Sequence, residues 1–482
     1  MLYLRRRISA KYQQPERLYA HFDAPNPVDL QSHMTDKKDY LIYKLADNMK
    51  GCIKIDAELF RKLDVKRGLR NEDGTGVLVG LTNIGNVVGY ERTPDGLIPT
   101  PGRLYFRGYE IADLTRPLIE EGRFGFEEVA YLLLSGNLPD AEELEEFRRL
   151  LVENMPLMPK TMVGIVELEG SDIMNILARS VLELYTYDPT PDDISRDNLM
   201  RQSIELTSKF PTIIAYAYNM LRHKTQGRSL HIRHPKEDYS LAENFLYMLL
   251  GNNYTPLDAR TLDLLLILQA EHGGGNNSTF TVRVTSSTCT DTYSSIAAGI
   301  GSLKGPKHGG ANIRVHHMIE HLKQAVHDWE DEGELFRYLC RMVRKDAYDG
   351  SGLIYGIGHA VYTLSDPRAV LLREMAGKLA AEKGRVKEFE FMRRIERLAI
   401  QAVYSVKGEG KKLCANVDFY SGFVYDLIGL PEEIYTPLFA MARIVGWCAH
   451  RNEELCFNGR RIIRPAYRCV ADPRDYVDVA ER

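Results

Sequence analysis

The sequence predicts an all-α protein with a small β segment toward its N-terminal side. Three observations predict it. Beyond Tyr109, apolar residues recur at helical spacing in one segment after another. Capping residues open these segments, and glycine or proline closes them. Only the stretch from Val77 to Phe106 has the texture of strands. A chain of 482 residues can bury a large core and predicts two domains, or one large domain with a smaller one.

The elements follow in order. Residues 1–50 mix charges, prolines and tyrosines without a clear period; they read as an N-terminal extension, helical near Tyr40 to Asn48. Val77–Gly80, Val87–Tyr90 and Leu104–Phe106 are short β-prone runs, with a turn at Pro94-Asp95-Gly96. Ala112–Glu121 should be helical, kinked or divided at Pro117. Phe126–Leu134 ends at Ser135-Gly136, and Asp140 caps a helix carrying Leu144, Phe147, Leu150 and Leu151. Ser171-Asp172 caps Ile173–Leu184. Asp197–Arg222 holds Pro211, which predicts a kinked helix or two helices. Helices are then expected over Leu241–Leu250, Leu257–Ala270, Arg314–Asp328, Glu332–Lys345, Ala369–Glu382, Val386–Lys407, Gly422–Ile428 and Tyr435–His450.

Composition excludes several classes. Hydrophobic and charged fractions of 44% and 27% are ordinary for a soluble protein, and a net charge of −4 predicts neither nucleic acid nor an anionic membrane as partner. The basic start, Arg5-Arg6-Arg7, has no apolar segment behind it, so no secretory signal is expected, and no apolar run is long enough for a membrane span. Seven scattered cysteines without a CxxC suit a reducing cytoplasm and argue against a zinc ribbon.

The chemistry centres on Gly305-Pro306-Lys307-His308-Gly309-Gly310-Ala311-Asn312. Gly305 and Pro306 stop the small-residue helix before them, and the glycines let backbone or ligand approach His308. Alone, His308 reads equally well as a core histidine. Its company tips the balance: His272 before three glycines, His359 after Gly356-Ile357-Gly358, and Asp418 in Asn416-Val417-Asp418. Lookalikes fall away. Gly408–Lys412 lacks the residues of a phosphate loop, and Gly299-Ile300-Gly301 follows a helix rather than a strand. His316, His317 and His321 lack a zinc frame and read as a solvated helix face.

The chain resembles the citrate synthases. The motifs are Gly102–Leu114, Asn244–Leu249, Glu271-His272, Gly305–Asn312, Gly356–Tyr362 with Asp366-Pro367-Arg368, Asn416–Gly422, Phe439–His450 and Arg464-Pro465. Their common order and spacing make the resemblance specific from Gly102 to Pro465; residues 1–50 lie outside it. It implies a two-domain, all-α fold, with residues 51–308 and 426–482 as the large domain and 309–425 as a small mobile one. It implies a homodimer or higher homo-oligomer in the cytoplasm, acting in the tricarboxylic acid cycle without metal or redox cofactor. The substrates would be oxaloacetate and acetyl-CoA, or propionyl-CoA for a 2-methylcitrate synthase. A citryl-CoA-cleaving or non-catalytic relative is a remoter reading, and the intact His308, His359 and Asp418 argue against the non-catalytic one.

The resemblance also assigns roles that the residues can fill. Asp418 is the base that takes a proton from the thioester's methyl group. His308, neutral if buried, donates to the thioester oxygen as charge forms there, and His359 donates to the ketone of oxaloacetate. Arg368, Arg443 and Arg464, with His272, would bind the two carboxylates. The Arg464 counterpart comes from the neighbouring subunit in the family; Asn458–Arg461 alters its spacing, leaving Arg461 as an alternative. The first loop also departs from the family's Asp-His-Glu, reading Glu271-His272-Gly273.

Overall fold

The computed structural model describes residues 37–482 except 95, 169, 411, 458 and 460. The N-terminal extension before residue 37 lies outside the described residues. The described chain groups into two units. One contains residues up to Val79 together with 465–482; the other contains Gly80–Arg464.

In the first unit, helix α1 (Lys37–Cys52) confirms the helical reading around Tyr40–Asn48, and α2 (Ala57–Lys62) follows, capped by Asp56. The expected strand at Val77–Gly80 does not form. It has no partner strand, and Leu78 is 83% exposed.

The second unit opens with a three-stranded antiparallel sheet: β1 (Gly85–Thr93), β2 (Gly96–Phe106) and β3 (Tyr109–Glu110). The chain reverses between Thr93 and Gly96, as the turn signal predicts, and a bulge interrupts the register between Val88 and Tyr90. Helices make up the rest: α3 (Ile111–Glu121), α4 (Phe126–Ser135), α5 (Ala141–Asn154), α6 (Pro159–Glu167), α7 (Ile173–Leu184), α8 (Arg196–Gln226) and α9 (Leu241–Leu250). Then come α10 (Pro256–Ala270), α11 (Asn277–Ser286), α12 (Thr292–Lys304), α13 (Ala311–Ala325), α14 (Glu332–Val343), α15 (Pro367–Glu382), α16 (Val386–Lys407), α17 (Asp418–Ile428) and α18 (Tyr435–Cys456).

Local chemistry explains most boundaries. Asp140 and Ser240 form reciprocal capping boxes with Glu143 and Glu243. Of the two alternatives expected at each helical proline, a kink or a division, division does not occur. Neither Pro117 nor Pro211 divides its helix: α3 and the 31-residue α8 run through them. Residues 206–221 of α8 are buried, and this packing outweighs the one backbone hydrogen bond that proline removes.

Helix α18 is the axis of the unit. It is buried from Tyr435 to Arg451 and packs against α4, α8, α10, α11 and α12. Helices α13 to α17 form a neighbouring bundle, joined to the first mainly where α15 meets α10 and α13 meets α18. The loops that end or precede these helices carry the histidines. The sheet lies against the loop after His359: the Gly89 carbonyl accepts from Thr363 Oγ1 at 2.8 Å, and the Gly102 N–H donates to Ser365 Oγ at 3.1 Å.

Candidate active site

The three candidate catalytic residues, His308, His359 and Asp418, are positioned by breaks in regular structure. α12 stops at Gly305, and the chain folds back so that the Gly309 N–H reaches the Leu303 carbonyl at 2.9 Å. A Cβ on Gly309 would stand 2.6 Å from that carbonyl oxygen, so only glycine makes this turn. His308 is thereby aimed at Ser278 in α11, with Nε2 3.0 Å from its Oγ. The same oxygen accepts the Trp447 indole N–H at 3.2 Å and lies 2.9 Å from Asn276 Oδ1. The one hydroxyl proton of Ser278 goes either to Asn276 Oδ1 or to His308 Nε2; in the second case the imidazole proton sits on Nδ1, where it can serve as donor. Burial, and secondarily the Arg443 charge, push the His308 imidazole down to about 4. The ring is therefore neutral at physiological pH, as an uncharged oxyanion donor must be.

His359 and Asp418 are brought together by a short antiparallel pairing. Ile357 bridges Ala415, the Gly358 N–H reaches the Cys414 carbonyl at 2.7 Å, and the Asn416 N–H reaches the Gly356 carbonyl at 2.9 Å. Asn416 Oδ1 then accepts the Asp418 N–H at 3.0 Å where α17 begins. His359 Nδ1 accepts from the backbone N–H groups of Val361 and Tyr362, both at 3.0 Å. Two donors on Nδ1 leave the ring proton on Nε2, so His359 is a preset N–H donor. The Tyr362 ring stacks on His359 with centroids 4.6 Å apart. Burial pushes the Asp418 carboxyl up to about 6, against the pull of Arg368. That value makes it a stronger base than an ordinary carboxylate, while still ionised at pH 7.

The anion-binding candidates divide into two sets. His272 stands edge-on to His359 at 5.1 Å, and burial, with the charges of Arg368, His359 and Arg443, holds its imidazole well below the usual value. Its Nε2 is buried without a hydrogen-bond partner. Arg443 is fully buried in α18; its Nε donates to the Gln269 carbonyl at 2.7 Å, while Nη1 and Nη2 have no partner. A guanidinium buried with two of its three nitrogens unpaired is costly unless an anion completes it. Arg368, in the first turn of α15, is buried and holds Asp366 through Nε and Nη2 at 3.0 and 2.8 Å. Arg464 is not brought to this site within the chain. It lies exposed in irregular backbone after α18, as does Arg461.

The sequence reading missed a network behind the site. Glu271 is fully buried, and its Oε1 accepts the Gly273 N–H at 2.5 Å and the His450 Nε2–H at 2.9 Å. Arg283 donates to His450 Nδ1 at 2.9 Å and pairs with Glu453 at 3.0 Å. Arg443 and His450 lie seven residues apart on α18, two turns on the same face. That spacing is the signal that could have revealed the link. The trio His316, His317 and His321 is also more than a solvated face: His316 and His317 both reach Glu432, at 3.2 and 2.8 Å, and His321 reaches the Tyr338 hydroxyl at 2.7 Å. Among the described residues, no group of three or more His, Cys, Asp or Glu side chains could hold a metal ion, and no helix is long and apolar enough to cross a membrane.

Comparison with known proteins identifies the family. Residues 73–466 match the family model "Citrate synthase, C-terminal domain". A citrate synthase of Deinococcus radiodurans is 38% identical over 360 residues, covering 74% of this chain and 88% of the relative. A 2-methylcitrate synthase of Shewanella oneidensis is 33% identical, covering 79% of this chain and 92% of the relative. The citrate synthase of Thermoplasma acidophilum, solved with carboxymethyl coenzyme A and oxaloacetate, superposes with a TM-score of 0.70 at 28% identity, covering 87% of this chain and 99% of that one. With the match spanning most of its length, this chain belongs to the citrate synthase family.

Proposed function

We propose that this chain is a citrate synthase that condenses acetyl-CoA with oxaloacetate and hydrolyses the citryl-CoA formed. The observation that carries the reading is the company kept by Asp418 and His308. The unpaired Nη1 and Nη2 of Arg443 are buried donors without acceptors, Nε2 of His272 is a buried nitrogen without a partner, and a small dicarboxylate supplies acceptors.

On this reading Asp418 takes a methyl proton from acetyl-CoA while His308 donates a hydrogen bond to the thioester oxygen. The resulting carbon nucleophile attacks the ketone of oxaloacetate, whose oxygen receives the His359 Nε2 proton. Water then cleaves the thioester, releasing CoA and citrate. Arg443, Arg368 and His272 hold the carboxylates, and Arg464 of a neighbouring copy completes the site in a cytoplasmic homodimer. Residues 309–425 form the mobile domain that closes over the substrates. No metal or redox group takes part.

The Shewanella relative supports a second reading, in which propionyl-CoA is the acyl donor. Steady-state CoA release with oxaloacetate separates them. Acetyl-CoA should be preferred over propionyl-CoA by about tenfold or more in kcat/KM, the scale of one methylene. Preference for propionyl-CoA would establish the second reading, and no CoA release from either would defeat both.

A further inference from the structure

Glu271 is an anion where the site must bind anions. Its carboxylate is fully buried, and its Oε2 has no hydrogen-bond partner. It is locked rather than free to swing, because Oε1 holds the Gly273 N–H and the His450 Nε2–H, and Arg283 fixes His450 from behind. Two glycines make room for it. A Cβ on Gly85 would stand 2.8 Å from Oε1, and one on Gly446 would stand 2.7 Å from Oε2. Gly446 lies one turn beyond Arg443 on α18, and Arg443 Nε is bound to the carbonyl of Gln269, two residues before Glu271. The carboxylate is within electrostatic reach of the Arg443 guanidinium and next in sequence to His272, yet no direct ion pair occupies the Arg443 fork. Burial works to raise the Glu271 carboxyl, but His450 and Arg443 outweigh it and hold it ionised.

The reaction gives this geometry a consequence. Oxaloacetate enters as a dianion, and after thioester hydrolysis the same pocket holds citrate, a trianion. Donors strong enough to capture the first would retain the second more tightly still. We propose that Glu271 is a fixed counter-anion that keeps Arg443 compensated before substrate arrives and limits the affinity of the pocket for its trianionic product, so that citrate leaves. It is a positioning and charge-balancing residue, not a catalytic one. The inference rests on Arg443 and His272 being the carboxylate binders.

The test compares Glu271→Gln, which keeps the shape and removes the charge, with Glu271→Asp, which keeps the charge. In Glu271→Gln the inhibition constant of citrate should fall about tenfold, the KM for oxaloacetate should fall by less, and kcat should drop as release slows. Glu271→Asp should keep a citrate-to-oxaloacetate affinity ratio near that of the wild type. A Glu271→Gln protein that binds citrate as weakly as the wild type, or more weakly, overturns the proposal. If the variant is too unstable for kinetics, its melting temperature decides: added citrate must raise it by more than it raises that of the wild type, and an equal or smaller rise contradicts the proposal. Arg443→Gln, measured in parallel, separates the two levels of inference. If it leaves oxaloacetate affinity intact, the site reading itself fails.

Discussion

Asp418 shows what a single residue pays for its chemistry. Its folded carboxyl is raised from 3.8 to about 6 by burial, so its charged form is disfavoured in the native state. Below pH 4 the group is protonated folded and unfolded, and no cost arises. As pH rises through 6 the cost appears in full, about 2–3 kcal/mol for a shift of this size. Asp418→Asn should therefore melt higher than the wild type at pH 7–8, with the difference vanishing below pH 4. The same variant should bind oxaloacetate but lose about 10²–10⁴-fold in kcat, the usual contribution of a general base. Calorimetric melting and steady-state rates on one preparation check both; near-wild-type turnover would remove Asp418 as the base. A related outcome concerns the wild type. Its kcat/KM for acetyl-CoA should fall as pH drops below about 6, where Asp418 takes up its proton, and a profile flat down to pH 5 would speak against this.

At the scale of elements, the sheet helps to build the site. Gly89 sits in the β1 bulge, where a Cβ would stand 2.4 Å from the Val361 carbonyl oxygen. Val361 and Tyr362 supply the two N–H groups that fix His359. Gly89→Ala should therefore push this loop away and lower kcat by an order of magnitude or more, while Gly85-to-Phe106 strand pairing survives. Activity of the variant set beside its circular dichroism checks this; unchanged kcat would show that the loop yields without cost. Elements also show what a sequence can and cannot reveal. His308, His359 and Asp418 were legible because glycine or a turn marks each one. The capped helices were legible because Asp140 and Asp172 announce them. Helix α11 was not, since Asn277–Ser286 is rich in Thr and Val, and burial overrides that weak propensity. Val77–Gly80 misled for the opposite reason: a β-prone run without a partner makes no strand. The Glu271–His450–Arg283 network joins three distant parts of the chain, and each member alone resembles an ordinary charged or polar residue.

At the scale of the molecule, the account needs a second copy and an order of events. Arg464 is exposed in this chain, whereas Arg443 and Arg368 are buried. If the neighbouring copy supplies Arg464, mixing inactive Arg464→Ala and His308→Ala proteins should restore part of the activity, because one site of the mixed dimer carries neither lesion. Failure to complement, with subunit exchange verified, would place Arg464 in its own chain's site or outside any site. The central claim is that the dianion satisfies the unpaired nitrogens of Arg443 and His272, draws in Arg368, and thereby completes the surface that receives acetyl-CoA. Its most direct test is calorimetric titration of acetyl-CoA into the Asp418→Asn protein, where turnover slowed about 10²–10⁴-fold lets the heat of binding be separated from that of the residual reaction. The account predicts weak binding of acetyl-CoA alone and at least tenfold tighter binding once oxaloacetate is bound, a coupling of about 1.4 kcal/mol or more. Equal affinity with and without oxaloacetate would contradict it.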